Sequence, residues 1–202
     1  MKIVFATGNK NKMKEIRKIL GGLGMEILSM AEAGVEGDVE ENGSSFAENS
    51  MIKARAVAQE LKAKGENDCI VLADDSGLEV DYLNGEPGIY SARYMGHDTP
   101  YSEKNAAIIA RLDGVKDEDR SARFVCAISA VLPDGKELST LGKMEGRIGY
   151  EIAGQNGFGY DPIFFLPEYG KTSAEISEDE KNAISHRGKA LRSMAELLGE
   201  AI

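Results

Sequence analysis

Hydrophobic and polar residues recur along this chain with two periods, which predict a mixture of strands and helices. A short apolar run at residues 3–6 is followed by Thr7, Gly8 and Asn9, and apolar residues then recur at helical spacing at positions 13, 16, 19 and 20. This order predicts a strand, a tight loop and a helix that ends at the glycine pair 21–22. A second amphipathic helix is predicted over residues 45–64, with Gly65 just after its end.

The middle of the chain predicts a buried strand and a third helix. Residues 69–73 form a continuous apolar run, which is typical of a central strand that is buried on both faces. The run stops at the sequence Asp74-Asp75-Ser76-Gly77, so we expect the strand to end there. Apolar residues at helical spacing then predict a helix over residues 102–112, capped by Ser102.

Strands dominate the next part of the chain, before two helices close it. Residues 124–132 and 137–141 flank a Pro-Asp-Gly-Lys turn and predict a hairpin. Residues 153–162 are too rich in glycine for regular structure and predict an ordered loop leading into a strand at 163–165. A capping box at 177–180 and a last helix over 186–198, capped by Ser185, complete an α/β pattern with a mixed sheet. No domain boundary is evident, so we expect residues 1–202 to form one domain.

Composition narrows the class of protein. The fractions of hydrophobic and charged residues, 42% and 29%, are those of soluble globular domains rather than of disordered chains. The formal net charge of −10 disfavours broad contact with nucleic acid or anionic lipid, because both partners require a basic surface. A polyanionic substrate would therefore have to meet a local basic site or a metal ion.

The location predicted from the sequence is cytoplasmic. The two cysteines, Cys69 and Cys126, both lie in apolar runs where buried free thiols are common, and they do not suggest a disulfide framework. The N-terminus begins with a strand-like run instead of the pattern of a secretory signal. No apolar run reaches the roughly 18 residues that a membrane span needs, so we expect no membrane association.

The loop at residues 7–12, Thr-Gly-Asn-Lys-Asn-Lys, is the first candidate for chemistry. It lies between a strand and a helix, where backbone N–H groups and the helix dipole attract phosphate, and Lys12 could neutralise a terminal phosphate. The loop lacks the G-x-x-x-x-G-K-[ST] pattern of a P-loop, and many ordinary strand-to-helix turns look similar. By itself the loop leaves both interpretations open.

Two pairs of acidic residues provide candidate metal ligands. Glu40-Glu41 precede Asn-Gly, and Asp74-Asp75 follow the predicted buried strand. Magnesium prefers hard oxygen ligands and is usually held by one or two carboxylates together with substrate phosphates. A solvated loop would equally explain Glu40-Glu41, and a turn would explain Asp74-Asp75. Burying adjacent carboxylates at the end of a core strand costs folding free energy, however, unless they are paired or bound to metal.

Two further segments suggest recognition of a base. Phe158, Tyr160 and Asp161 place aromatic rings beside a carboxylate, as a base-binding pocket would, although ordinary core aromatics explain them about as well. The segment 185–189, Ser-His-Arg-Gly-Lys, places cations at a predicted helix start, where they oppose the helix dipole. A bound anion or an oxygen-rich base would account for that placement.

Several other activities are excluded by their motifs. Glycines at 154, 157 and 159 occur in the wrong order for a dinucleotide fingerprint, and a proline follows them where a helix should begin. The two histidines do not form an H-E-x-x-H zinc site, and a G-x-S-x-G nucleophile elbow is absent. Cysteine and histidine are too few and too scattered for a thiol protease.

Five motifs, taken together and in order, resemble the inosine triphosphate pyrophosphatase family, whose members act on nonstandard purine nucleotides such as ITP and XTP. They are residues 7–12 (TGNKNK), 73–78 (ADDSGL), 87–93 (PGIYSAR), 158–162 (FGYDP) and 185–188 (SHRG). They extend over essentially the whole chain, and none of them departs from the family pattern. The resemblance implies a two-lobed α/β fold with a long central mixed β-sheet flanked by helices, a cleft between the lobes, Mg²⁺ and a homodimer.

The resemblance also implies roles for individual residues. It places substrate binding at Thr7, Gly8, Asn9, Lys10, Asn11, Lys12, Ser76, Phe158, Gly159, Tyr160, Asp161, Lys181, His186 and Arg187. Glu41 and Asp75 are similar to its metal-binding carboxylates, and Asp75 is similar to the proton acceptor. The resemblance assigns no definite role to Asp74, which is a candidate partner for these groups.

The activity implied is Mg²⁺-dependent hydrolysis of ITP, dITP and XTP to the monophosphate and pyrophosphate. Donors such as Arg187, Lys181 or His186 suit a 6-oxo group and would leave the 6-amino group of adenine unpaired. Two alternatives remain: a related pyrophosphatase with another base preference, and a noncatalytic nucleotide-binding protein. The carboxylates at 41 and 75 disfavour the second, because a simple phosphate binder gains nothing from added negative charge.

Overall fold

The fold is α/β and contains a mixed seven-stranded sheet. A computed structural model describes residues 1–37 and 39–201. The strands are β1 (Lys2–Phe5), β2 (Glu26–Ser29), β3 (Cys69–Val80), β4 (Ser121–Val131), β5 (Glu137–Ile148), β6 (Phe164–Leu166) and β7 (Lys171–Thr172). Their order in the sheet is β2-β1-β3-β4-β5-β6-β7. β1 pairs in parallel with β2 and β3, whereas β6 pairs antiparallel with β5 and β7. The predicted fold class is confirmed.

Five α-helices accompany the sheet in the described residues. They are α1 (Lys10–Leu20), α2 (Phe46–Ala63), α3 (Tyr101–Arg111), α4 (Glu178–Ile184) and α5 (His186–Ala201). The chain divides into two compact units. Unit 1 comprises Met1–Asp75, Cys126–Gly142 and Arg187–Ile202, and unit 2 comprises Ser76–Val125 and Lys143–His186.

Unit 1 has an apolar cluster on each face of its strands, because successive strand residues point to opposite faces. Ile3 and Phe5 of β1 pack with buried residues of α1 and α5, whereas Val4 packs in a second cluster with Val57 and Leu61 of α2. The helical apolar positions predicted from the sequence are therefore the ones that cover the strands. In unit 2, buried residues of β3, β4 and β5 pack with α3 and with the segment around Phe164 in one cluster.

The prediction that the buried strand ends at Asp74 was wrong. β3 continues to Val80, and Leu78 and Val80 are fully buried in the core of unit 2. Polar side chains interrupt the apolar pattern at positions 74–76, which concealed the continuation. The strand tolerates Asp74 and Asp75 because both carboxylates have hydrogen-bond partners.

Other boundaries differ less from prediction. β5 extends to Ile148, where the alternation of Met144 and Ile148 with charged residues marks a strand that is buried on one face. α3 begins one residue early at Tyr101, and its N-cap position is Pro100, so Ser102 does not cap it. The capping box of α4 is confirmed: the Ser177 hydroxyl accepts from the Glu180 N–H, and the Glu180 carboxylate accepts from the Ser177 N–H.

Candidate active site

The predicted site residues are distributed over both units, and each unit holds its own group. Unit 1 contains the loop at residues 7–12 together with Glu41, Asp75 and Arg187. Unit 2 contains Ser76, the loop at residues 158–161, Lys181 and His186.

The loop between β1 and α1 is organised by its asparagine. The Asn9 side chain caps α1, and its Oδ1 accepts hydrogen bonds from the backbone N–H groups of Asn11 and Lys12, at 2.9 and 3.2 Å. The Thr7 hydroxyl oxygen accepts from the Asn9 N–H at 3.2 Å. Residues 8–11 are exposed, and the first turn of α1 contains no acidic residue. This helix terminus is therefore accessible to an anion, although Asn9 already occupies two of its N–H groups.

Asp74 lies at the centre of a buried network of charges. Lys12 Nζ lies 3.0 Å from Asp74 Oδ2, and the Arg187 guanidinium lies 3.3 Å from the same oxygen. Arg187 also donates to Glu15 Oε2 at 2.5 Å. Burial of Asp74 favours its neutral form, but the positive charges of Lys12, Arg187 and Lys53 outweigh burial and hold the pKa of this carboxyl well below its usual range. Asp74 is therefore a fixed anion that anchors two cations.

Asp75 is buried to a similar degree, but nearby positive charges offset the effect of burial on its carboxyl group less than they do at Asp74. It is 7% exposed, and its Oδ2 accepts a hydrogen bond from Asn49 Nδ2 at 3.1 Å. Burial raises the pKa of Asp75, the charge of Glu41 raises it further, and Lys53 and Asn49 offset these effects only in part. A carboxylate whose pKa lies above its usual range is better matched to accepting a proton near neutral pH.

Asn49, which the sequence analysis missed, fixes the orientation of Asp75. This fully buried amide lies in the first turn of α2, and its Oδ1 accepts from the Gly43 N–H at 2.8 Å while its Nδ2 donates to Asp75. A Cβ at Gly43 would lie 2.7 Å from Asn49 Oδ1, so the close approach requires glycine at that position. Gly43 thus supports the site through Asn49.

Glu41 is held by a second residue that the sequence analysis missed, Lys53. Their side chains are 3.0 Å apart, at 27% and 13% exposure. Burial lowers the pKa of Lys53, but the charges of Asp74, Asp75 and Glu41 outweigh burial and raise it. Lys53 lies four residues after Asn49 on the same face of α2. Two polar residues at that spacing on a half-buried helix were the signal that could have identified both.

The carboxylates of unit 1 are too few to hold a metal ion by themselves and would need further ligands from a bound substrate. Among residues 1–37 and 39–201, no group of three or more acidic, histidine or cysteine side chains is placed to hold a metal ion. Glu41 and Asp75 can supply one or two oxygen ligands. Mg²⁺ accepts such a partial set when substrate phosphates and water complete its coordination.

In unit 2, Asp161 organises the loop at residues 158–161. Its Oδ2 accepts from the Phe158 N–H at 2.8 Å and from Lys181 Nζ at 2.6 Å, and its Oδ1 accepts from the Ser173 hydroxyl at 2.8 Å. Lys181 Nζ also lies 5.0 Å from the centre of the Phe158 ring. A methyl group at Gly157 would clash with Asp161 at 2.1 Å. The structure therefore brings together Phe158, Asp161 and Lys181 of the predicted base site.

The remaining predicted residues have differing surroundings. The His186 ring stacks on Phe124 at 4.9 Å, and the buried Tyr160 donates its hydroxyl to the Ser91 carbonyl oxygen at 2.7 Å. Ser76 is half-buried in β3. Arg187 follows His186 directly in the chain, but it belongs to unit 1, where it contacts Asp74.

Comparison with known proteins identifies the family. The sequence model of the Ham1 family matches residues 3–197. This chain belongs to the Ham1 family. The Ham1 match covers both units and all five motifs from the sequence analysis, so the predicted family membership is confirmed.

Similar proteins support the assignment to the Ham1 family. The chain is 52% identical over 197 residues to a protein of Clostridium perfringens named dITP/XTP pyrophosphatase, covering 98% of this chain and 97% of that relative. A Listeria innocua protein of the same name is 44% identical over 201 residues, covering 100% and 96%. The Staphylococcus aureus Ham1 structure matches with a TM-score of 0.87 and 39% identity over the full length of both chains. A Coxiella burnetii HAM1 structure matches with a TM-score of 0.87 and 40% identity, covering 99% of each.

Within residues 1–37 and 39–201, none of the helices combines the length and the apolar character needed to cross a bilayer.

Proposed function

We propose that this chain hydrolyses the nonstandard purine nucleotides ITP, dITP and XTP to the corresponding monophosphate and pyrophosphate, and so removes them from the nucleotide pool. Family membership and the named activity of full-length relatives support this reaction. The structural observation that carries the proposal is Asp75, an oriented and nearly buried carboxylate with a raised pKa beside Glu41 and Lys53. We take residues 1–202 to be one functional domain.

Mg²⁺ is the proposed cofactor, with Glu41 and Asp75 as its protein ligands. When bound to the triphosphate, it would neutralise charge that develops on the pyrophosphate leaving group. The chemistry of these two side chains fits this requirement, because both offer hard carboxylate oxygens and the negative charge of Glu41 acts on Asp75.

Asp75 is the proposed proton acceptor. The water oxygen bonds to the α phosphorus, the bond from that phosphorus to the oxygen bridging to the β phosphorus breaks, and pyrophosphate leaves with the bridging oxygen. The proton lost by the water passes to Asp75 Oδ1 or Oδ2. Asn49 holds one of these oxygens in place before the substrate arrives. General base catalysis of this kind contributes roughly 10²–10⁴ in rate.

The loop at residues 7–12 is the proposed phosphate site, together with Lys12. The exposed terminus of α1 offers the positive end of a helix dipole, and Lys12 is a partly exposed cation close by. The Lys12 ammonium has three N–H donors, so it can contact a phosphate oxygen while it remains beside Asp74.

Unit 2 is proposed to recognise the base. Phe158 offers a ring on which a purine can stack, and Lys181 and His186 are the proposed donors to the 6-oxo group. Adenine, with a 6-amino group, would leave such donors unpaired, which costs more than the bond gains. Ser76, Gly159 and Tyr160 remain predicted substrate contacts. Arg187 also remains one, although its guanidinium lies beside Asp74 in unit 1.

We further propose that the protein is a cytoplasmic homodimer that binds neither nucleic acid nor membrane. The acidic net charge supports the absence of nucleic-acid binding. Light scattering of the purified protein tests the dimer, which requires a mass of twice 21.8 kDa.

A substrate panel with Mg²⁺ tests the proposed activity. We expect kcat/KM for ITP, dITP and XTP to exceed the value for ATP by several orders of magnitude, because adenine lacks the 6-oxo group. GTP should also be a poor substrate, but guanine shares the 6-oxo group, so its rejection must involve the 2-position of the purine. Ribose and deoxyribose forms should react alike. Comparable kcat/KM for ATP would establish the alternative of a pyrophosphatase with another base preference. Tight binding of ITP without any pyrophosphate release would establish a noncatalytic binding protein.

A further inference from the structure

Two adjacent polar residues at the start of α3 are buried although they have no part in the site described above. Lys104 is 1% exposed and Asn105 is 2% exposed. Each donates to a backbone carbonyl oxygen outside its own helix: Lys104 Nζ to Ala92 at 2.7 Å, and Asn105 Nδ2 to Gly159 at 3.1 Å. Gly159 belongs to the loop at residues 158–161, which is proposed to recognise the base and is called the base loop below. Asn105 therefore connects α3 directly to the base loop.

The Asn105 amide is satisfied on one side only. Its Oδ1 is buried and has no hydrogen-bond partner among residues 1–37 and 39–201. Exchanging the oxygen and nitrogen of the amide would not help, because the oxygen would then face the Gly159 carbonyl oxygen. An unpaired buried acceptor costs stability, so an apolar residue of similar size would suit this position better if packing were its only role.

The backbone conformation of Gly159 determines the path of the base loop at this point. Its φ of 68° lies in the left-handed region, which glycine adopts without strain. Tyr101 of α3 lies against it, since a Cβ at Gly159 would be 3.6 Å from the Tyr101 ring. The Tyr101 ring also meets the Tyr160 ring edge to face at 5.2 Å. Because glycine has little conformational preference of its own, the orientation of the Gly159 peptide depends on the contacts of Gly159 with α3.

The opposite end of the loop is held independently. Asp161 binds the Phe158 N–H and Lys181, as described above. Hydrogen bonds thus hold the loop at residues 158–161 through Asp161 within the loop, through the Tyr160 hydroxyl at Ser91, and through Asn105 from α3. The Asp161 contact orients Phe158 and Lys181, whereas the Asn105 contact orients the peptide that joins Gly159 to Tyr160.

We infer that Asn105 is a positioning residue for base selection, which acts by holding the Gly159 carbonyl group and through it the base loop. This inference rests on the proposed function of that loop. Asn105 does not contact the reacting phosphates, so it affects how well the correct base binds and not the chemical step. Loss of an interaction that is equal in the ground and transition states raises KM and leaves kcat unchanged.

The test compares Asn105→Leu and Asn105→Asp with wild type. Asn105→Leu removes both the donor and the unpaired acceptor, and Asn105→Asp keeps the shape but places a carboxylate beside the Gly159 carbonyl. For Asn105→Leu we expect the KM for ITP to rise about tenfold with kcat within about twofold of wild type. Its ATP kinetics should be unchanged, so selectivity for ITP over ATP falls. Asn105→Asp should lose at least as much selectivity.

Two controls separate positioning from general damage. Inhibition by inorganic tripolyphosphate reports on phosphate binding without a base, and its Ki should be the same in wild type and both variants. Thr140→Val removes another side-chain hydrogen bond to a backbone carbonyl, from Thr140 to Ala190 at 2.9 Å in unit 1. This control should lower the Tm without changing the selectivity.

The outcomes distinguish the inference from the function on which it rests. Unchanged ITP selectivity in either folded variant, or equal losses for ITP, ATP and tripolyphosphate, overturns the role of Asn105 while the pyrophosphatase activity stands. Wild-type protein that releases no pyrophosphate from ITP overturns the proposed function, and with it this inference. If Asn105→Leu does not fold, the ratio of kcat/KM for ITP to kcat/KM for ATP in Asn105→Asp decides the question.

Discussion

The surroundings of Asp74 and Asp75 differ sharply although the two residues are neighbours in one strand. Both carboxyl groups are buried in unit 1. Lys12 and Arg187 contact Asp74 directly, and the pKa of its carboxyl is lowered. Asp75 accepts a neutral hydrogen bond from Asn49, and the pKa of its carboxyl is raised.

This difference shows that burial alone does not decide what an acidic residue does. Successive residues of a strand point to opposite faces, so Asp74 and Asp75 meet different partners without any change in the backbone. The first is stabilised as an anion and secures two cations. The second is kept in an environment that disfavours its charge, which is a cost to stability that catalysis or metal binding would explain.

The largest effect is expected for Asp75→Asn. The change keeps the shape and removes the charge, so turnover of ITP should fall by at least roughly 10²–10⁴, and further if Mg²⁺ binding is lost as well. Because the Asp75 carboxylate is a buried charge with a raised pKa, its removal should also raise the Tm at pH 7. Pyrophosphate release at saturating ITP over a Mg²⁺ series, with a thermal melt on the same sample, measures both.

Near-normal turnover by Asp75→Asn would remove this residue from the mechanism. A Tm well below that of wild type would show instead that the carboxylate stabilises the fold, contrary to the difference described above.

Asp74→Asn should have the opposite effect on stability. Removing this charge leaves the buried Arg187 and the partly exposed Lys12 without their shared anion, and breaking a buried ion pair typically costs about 3–5 kcal/mol. For a chain of this size we expect the Tm to fall by roughly 10 °C. The Asp75→Asn melt is the matched control, because it makes the same chemical change one residue further along β3. Equal melting temperatures for Asp74→Asn and Asp75→Asn would refute the proposed difference between the two carboxylates in their effect on stability.

Lys12→Ala should have an intermediate effect, mainly on the use of triphosphate. Loss of a charge-assisted hydrogen bond to phosphate would cost about 1.5–3 kcal/mol in kcat/KM. The fold should persist, because Arg187 still pairs with Asp74. Steady-state kinetics with ITP, together with a melt, check this expectation. Wild-type kinetics in the folded variant would mean that the loop at residues 7–12 does not hold phosphate.

The smallest effect concerns how the stability differences depend on pH. The pKa of Asp75 is raised, so the ionisation penalty in wild type disappears as the pH falls through that raised pKa towards the ordinary value of 3.8. The stability advantage of Asp75→Asn should therefore shrink over that interval. The pKa of Asp74 is lowered, so its contribution persists down to about 3.8 and is lost only below that pH.

Thermal melts of the three proteins between pH 7 and pH 3 test these opposite windows. The Asp75→Asn and wild-type curves should converge at a higher pH than the Asp74→Asn and wild-type curves. Convergence in the reverse order would mean that the pKa shifts of the two carboxyls are exchanged.

The fold was predictable mainly where hydrophobic periodicity is strong. Residues 13, 16 and 20 of α1 and residues 54, 57 and 61 of α2 are buried at the predicted spacing. β3 was truncated in the prediction because Asp74 and Asp75 break its apolar pattern, and their partners come from positions 12, 49 and 187. Strand continuity at such a point depends on distant residues, which local pattern does not reveal.

The candidate site shows a similar limit. The five motifs identified the family, and the loop around Asp161 and Lys181 forms the predicted cluster. Asn49 and Lys53 share one face of a predicted amphipathic helix, and this spacing was a local signal for the pair, but the fold was needed to show that they hold Asp75 and Glu41. Asn105 was likewise hidden, because a single polar residue in the predicted third helix gives no sign that it is buried.

The central claim is that the chain cleaves the bond between the α and β phosphates of nonstandard purine nucleotides. The most direct measurement is ³¹P NMR of ITP with Mg²⁺ and catalytic amounts of the protein, with Asp75→Asn as the parallel sample. We predict that wild type produces inosine monophosphate and pyrophosphate in equal amounts and that Asp75→Asn produces almost none. Formation of inosine diphosphate and orthophosphate, or equal rates in the two samples, would contradict the account.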